Sequence, residues 1–118
     1  MLKTGLTIAF LLIAQGASAD NAVIKNVRAN QTGGLWNFNV TITHQDAGWG
    51  HFADAWRILD MSGKQLAIRE LIHPHVDEQP LTRSLSGIGL PDGTTQVGIQ
   101  VRDTLLGWAP DITIVDLK

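Results

Sequence analysis

The chain has 118 residues, with 9 Lys and Arg against 11 Asp and Glu, a formal net charge of −2 and no cysteine. That balance, with no basic run, argues against nucleic acid or an anionic membrane surface as a partner. The missing cysteines rule out disulfides and argue against a lipid-anchored form.

Residues 1–19 read as a secretory signal peptide, with Lys3, an apolar run from Leu6 to Ala14, and the small series Ala17-Ser18-Ala19 ahead of Asp20. The run falls short of the about 20 residues that a spanning helix takes, and no later segment is longer and as apolar. The expected product is periplasmic or secreted, cleaved after Ala19, with no membrane insertion. Residues 20–118 form a single expected domain; without Lys3 it carries 8 basic against 11 acidic residues, a formal charge of −3.

Ala22 to Arg28, with Val23, Ile24 and Val27, reads as a first strand, and Gly33-Gly34 marks the turn after it. From Leu35 the chain alternates, with Trp36, Phe38, Val40 and Ile42 on one face and Asn37, Asn39, Thr41 and Thr43 on the other, as a half-buried strand does. After a loop from Gln45 to Gly50, Phe52 to Asp60 puts Trp56 and Ile58 on one face and Arg57 on the other. Met61-Ser62-Gly63-Lys64 is a tight turn, and Gln65 to Ile72 returns with Leu66, Ile68 and Ile72 in phase. The segment from Leu81 leads into a Pro91-Asp92-Gly93 turn; Val97, Ile99 and Val101 alternate strictly, and Ile112 to Leu117 closes the chain. No segment sustains a helical period. Seven short strands with regular turns predict an all-β, seven-stranded β-sandwich.

The run Thr82-x-x-Leu85-x-Gly87-Ile88-x-x-Pro91-x-Gly93-Thr94 followed by Val97-x-Ile99-x-Val101 resembles the E-to-F region of fibronectin type III domains. Trp56 stands where immunoglobulin-like sandwiches place a core tryptophan on strand C. The likeness covers about a third of the mature chain, and Thr95 and Gln96 stand where that family has a tyrosine. Trp36-x-Phe38, Gly48-Trp49, Ala53-Asp54-x-Trp56 and His73-Pro74-His75-Val76-x-Glu78-Gln79-Pro80 also resemble a group of small exported bacterial proteins, which speaks to compartment and to no activity.

Seven strands running up and down put the second-to-third, fourth-to-fifth and sixth-to-seventh connections (B–C, C′–E and F–G) at one pole, because each crossing reverses direction. Those connections are Gln45 to Gly50, His73 to Pro80 and Thr104 to Pro110, so all four histidines, His44, His51, His73 and His75, are expected there. His44 is in phase with Ile42, Asp54 with Trp56 and Asp103 with Val101, which aims all three inward.

His73-Pro74-His75 carries the leading expectation, a chelating pair in an extended segment stiffened by Pro74. With His44 or His51 and one of Asp54, Asp77 or Glu78 it would hold copper(II) or zinc; without them it is a stiff loop with no ligand. With no cysteine, and Met61 the one methionine after the signal, a copper(I) site of soft ligands is disfavoured. Trp49 and Trp108, each in a Gly-Trp pair, either offer a platform to a ligand or cover the end of the core. Asp54 and Asp103 read either as an acid and base pair or as acceptors for loop amides, arginines or His44. Ser84 and Ser86 lack a nucleophile elbow, and no phosphate-binding glycine loop is present, so binding is expected rather than catalysis. The alternative to a metal protein is a protein or peptide interaction module using Trp49, Trp108, Asp77 and the His-Pro-His loop.

Overall fold

The computed structural model describes residues 20–117; the expected signal peptide lies outside the described residues. Eight strands and no helix appear among them: β1 (Val23–Thr32), β2 (Leu35–Thr43), β3 (Ala53–Leu59), β4 (Gln65–Glu70), β5 (Leu81–Ile88), β6 (Gln96–Asp103), β7 (Gly107–Trp108) and β8 (Thr113–Asp116). They form two antiparallel sheets. One has the order β1-β2-β5; the other runs β4-β3-β6-β7, with β8 also paired to β6.

The alternation read along β2 is what builds the core. Phe38, Val40 and Ile42 are buried from the first sheet with Leu81; Trp56, Ile58, Val97, Ile99 and Val101 are buried from the second. These side chains form one cluster, so each sheet covers the apolar face of the other. Burying a large aliphatic or aromatic side chain is worth roughly 1.5–3 kcal/mol, and a chain without disulfides rests on this layer.

β1 runs four residues further than expected because Ala29 to Thr32 pair across the turn with Leu35 to Phe38. Thr32 opposite Leu35 leaves a two-residue turn, and both its residues have positive φ, 59° at Gly33 and 85° at Gly34. A turn of that kind matches strand twist but is strained for residues with a Cβ.

The return strand β4 packs Leu66 on the core as expected but is out of phase with the expectation beyond it. Ala67 lies opposite Ile58 and packs on the core, whereas Ile68 lies opposite Arg57 and Ile72 is 77% exposed, past the strand's end. The Asp60 carboxylate accepts hydrogens from the Ser62 amide and hydroxyl and the Lys64 amide, fixing the turn, and a register shift follows at once between Ile58 and Leu59. One residue of slip sends every later side chain to the other face. Leu71 is therefore the buried residue at that end.

The last strand is split. Pro110, which has no amide hydrogen to give, falls between β7 and β8, and each piece pairs separately with β6. Trp108, expected in the Thr104 to Pro110 loop at the shared pole, belongs to β7 opposite Arg102.

Candidate metal centre

Asp46 organises the end of the molecule where the histidines meet. One of its oxygens accepts from His44 Nδ1 at 2.6 Å and from the Ala53 amide at 3.0 Å; the other accepts from the His75 amide at 2.7 Å. This buried carboxylate thereby ties the end of β2, the start of β3 and the segment after β4 together. Gln79 adds a second tie, accepting from the His44 amide and donating to the His75 carbonyl. Thr104 pins the turn after β6 to Phe52 through paired backbone and hydroxyl bonds. His51, which precedes Phe52, is thus set beside Asp103.

The result is a convergence of ligand atoms. His44 Nε2 lies 3.2 Å from His51 Nε2 and 3.1 Å from the Asp20 carbonyl oxygen; His51 Nε2 lies 3.0 Å from Asp103 Oδ1. One ligand atom from each of His44, His51 and Asp103 falls within 4.8 Å of the others. Side-chain exposure is 1% for His44 and 0% for Asp103, but 16% for His51, so the group opens to solvent past the His51 ring.

The hydrogens available do not match the acceptors. Asp46 takes three donors and acts purely as an acceptor, so a neutral His44 ring carries its hydrogen on Nδ1 and leaves a lone pair on Nε2. A neutral His51 has one ring hydrogen, and on Nε2 it serves either His44 or Asp103. Asp103 Oδ1 already accepts the Leu105 and Leu106 amides, and its Oδ2 is buried without a partner among the described residues. The Asp20 oxygen facing His44 Nε2 meets another lone pair. A buried acceptor left like Asp103 Oδ2 costs about 1–3 kcal/mol, and a cation relieves several such lone pairs at once. Nitrogens sharing a zinc at about 2.0–2.1 Å lie roughly 3 to 4 Å apart, which the 3.2 Å separation meets. Asp46 behind His44 supplies the outer carboxylate that orients metal-binding imidazoles.

His73 and His75 lie in the other part of this end, ring centroids 4.7 Å apart. Their surroundings differ. Arg83 donates to His75 Nε2 at 3.0 Å, which places the His75 hydrogen on Nδ1, buried and unpartnered among the described residues. Glu78 holds the same guanidinium through two bonds of 3.0 and 3.1 Å. Burial, then the Arg83 and His73 charges, keep His75 below the usual histidine range, against the pull of Glu78 and Asp46. The hydrogen bond from Arg83 holds Glu78 below the usual carboxylate range. His73 itself is exposed, with only a 3.3 Å contact from Nδ1 to the Pro74 carbonyl. Asp77 and Trp49 line the shallow groove along this pair, and Trp49 is 71% exposed with its ring edge-to-face on Phe52. Trp49 therefore does not cover the core end.

Asp54 does not point inward. The pairing shifts between Ala53 and Ala55, so Asp54 is the additional residue of a bulge and turns away from the face of Trp56. Both its oxygens accept from Arg102, at 2.9 and 3.1 Å, an ion pair that raises the arginine above its ordinary range. Trp108 lies under Arg102 and Arg57, with guanidinium carbons 5.1 and 3.8 Å from the ring centroid. Asp54 and Asp103 thus serve separate sets of partners: a guanidinium for one, loop amides and His51 for the other. Asp46, Gln79 and Asp20 were missed by the sequence reading. His44-x-Asp46 was the available signal, a histidine with a carboxylate two residues on.

A His-His-carboxylate group, buried at His44 and Asp103 and half-buried at His51, thus stands at one end of an all-β chain. The comparisons add a relative: a protein of Halomicrobium mukohataei named "Putative lipoprotein" is 37% identical over 81 residues, 69% of this chain and 39% of that protein. The chain thus spans about two fifths of that relative's length. No protein family matches the chain, and no solved structure does. No helix among the described residues is long and apolar enough to cross a membrane.

Proposed function

We propose that this chain is an exported β-sandwich of the immunoglobulin or fibronectin III-like kind that binds copper(II) or zinc through His44, His51 and Asp103. The observation that carries the metal reading is the excess of buried lone pairs over hydrogens where these three side chains meet. Imidazole nitrogen and carboxylate oxygen suit zinc and copper(II), and the cysteine-free chain offers no thiolate. Strands one, two and five in one sheet, with three, four, six and the split last strand in the other, support the sandwich reading. The apolar leader before Ala17-Ser18-Ala19 and the relative's printed name support export to the periplasm or beyond. Binding is the role proposed, with no catalytic step.

Calorimetric titration with zinc or copper(II) tests this. Wild type and a His73→Ala/His75→Ala variant should bind one ion alike, and His51→Ala should lose roughly tenfold or more in affinity. Equal binding by wild type and His51→Ala would refute it. His51 is the variant to use because it is the most exposed of the three.

A second reading rests on the 71% exposure of Trp49 and on exposed Val76 lining the same groove, an apolar edge suited to a protein or peptide partner. Trp49→Ala should weaken capture of such a partner without altering metal affinity; unchanged capture would remove this reading.

A further inference from the structure

We infer that Asp20 becomes a metal ligand when the chain is cleaved after Ala19, so that removing the leader completes the site. The inference rests on the proposed metal binding by His44, His51 and Asp103.

The backbone brings Asp20 to this place. Val23 lies opposite Thr43 and Ile24 opposite Ile42, and buried Ala22 anchors the chain just before β1. The Asp20 carbonyl oxygen is thereby 3.1 Å from His44 Nε2, the nitrogen that also faces His51. With the His44 hydrogen engaged by Asp46, that oxygen faces a lone pair, so it belongs with the ligand set rather than with the donors. A cation bound to His44 and His51 would sit within reach of it.

The neighbouring nitrogen changes chemistry on cleavage. While Ala19 is attached, the Asp20 nitrogen is an amide whose lone pair is delocalised into the carbonyl group. Hydrolysis of the Ala19–Asp20 bond adds one water, leaving a carboxylate on Ala19 and a free α-amine on Asp20. The amine and the carbonyl oxygen of one residue are joined through two carbons, with bonds of about 1.5 Å or less, and close a five-membered ring on a metal. Two atoms of Asp20 then join two imidazoles and Asp103. Of these two backbone atoms the precursor has only the oxygen to offer.

The test uses residues 20–118 fused behind a carrier whose protease leaves Asp20 as the first residue, titrated with copper(II) before and after cleavage. Affinity should rise roughly tenfold or more on cleavage. The spin-resonance signal of bound copper(II) should gain coupling to a further nitrogen. An Nα-acetylated cleaved chain separates loss of the amine from crowding by the carrier, and should bind as the fusion does. Equal affinity before and after cleavage, or in the acetylated and free chains, with His51-dependent binding intact, would overturn the role of Asp20 and leave the three-residue site standing. Loss of His51-dependent binding in every form would overturn both.

Discussion

Two pairs of histidines lie at the same end of this molecule and are held by the same carboxylate, yet their surroundings are opposite. Asp46 takes the ring hydrogen of His44 and so exposes an Nε2 lone pair to His51, Asp103 and Asp20, none of which has a hydrogen to spare for it beyond the one on His51. At His75 the Nε2 lone pair is already met by Arg83, which Glu78 holds in place. One pair lacks a cation and the other has one built in. Under the proposed function, the balance of donors and acceptors around the imidazoles, rather than their proximity, selects one pair for a metal.

The largest effect should come from removing what the two pairs share. Asp46→Ala strips three buried donors of their acceptor, and it should lower stability by about 1–3 kcal/mol for each donor left unpaired. Urea denaturation reads this; Glu78→Gln, on the exposed side of the other pair, should move the midpoint far less. A drop confined to metal affinity would show that Asp46 is not the common support.

Metal-linked stability separates the pairs next. Zinc at 100 times its dissociation constant should stabilise wild type by about 2.7 kcal/mol, seen as a higher melting temperature. His73→Ala should keep that gain, and His51→Ala, bound roughly tenfold or more weakly, should lose about half of it or more. The reverse pattern would exchange the roles assigned to the two pairs.

Protonation sharpens the contrast further. His75 is held below its ordinary value of about 6.5, chiefly by burial and then by Arg83 and His73. Above that value it is neutral folded and unfolded; as pH falls below it the unfolded chain takes the proton first, so stability is lost on acidification until the folded His75 also protonates. Proton NMR of the ring should show His75 titrating below the ordinary range and moving upward in Arg83→Gln. Titration at the ordinary value in wild type would contradict this assignment.

The smallest effect is expected on the outer face. The Asp54–Arg102 pair is partly exposed, with side-chain exposures of 22% and 29%, so Asp54→Asn should cost about 1 kcal/mol or less and leave zinc affinity unchanged. A loss of metal binding in this variant would bring Asp54 back into the site.

Much of the fold was legible because strand alternation is a local signal: Phe38, Val40 and Ile42, and again Val97, Ile99 and Val101, are core residues whichever way the strands are ordered. The two-sheet, all-β architecture followed from those runs and their turns. Where a strand slips by one residue the signal fails, since a bulge has no periodic mark. Asp54 and Ile68 were both assigned to the wrong face for that reason. The gathering of all four histidines at one end followed from counting crossings, but the partition into a hydrogen-poor and an arginine-supplied pair depends on contacts between residues 44 and 46, 51 and 103, and 75 and 83. Two of these bridge separate elements, and no pattern along the chain encodes them.

The most direct measurement is a two-bond nitrogen–proton NMR spectrum of the histidine rings, recorded with and without one equivalent of zinc. Zinc should move the Nε2 resonances of His44 and His51 and leave His73 and His75 where they were. Shifts at His73 and His75, with His44 and His51 unchanged, would contradict the assignment of the metal to the hydrogen-poor pair.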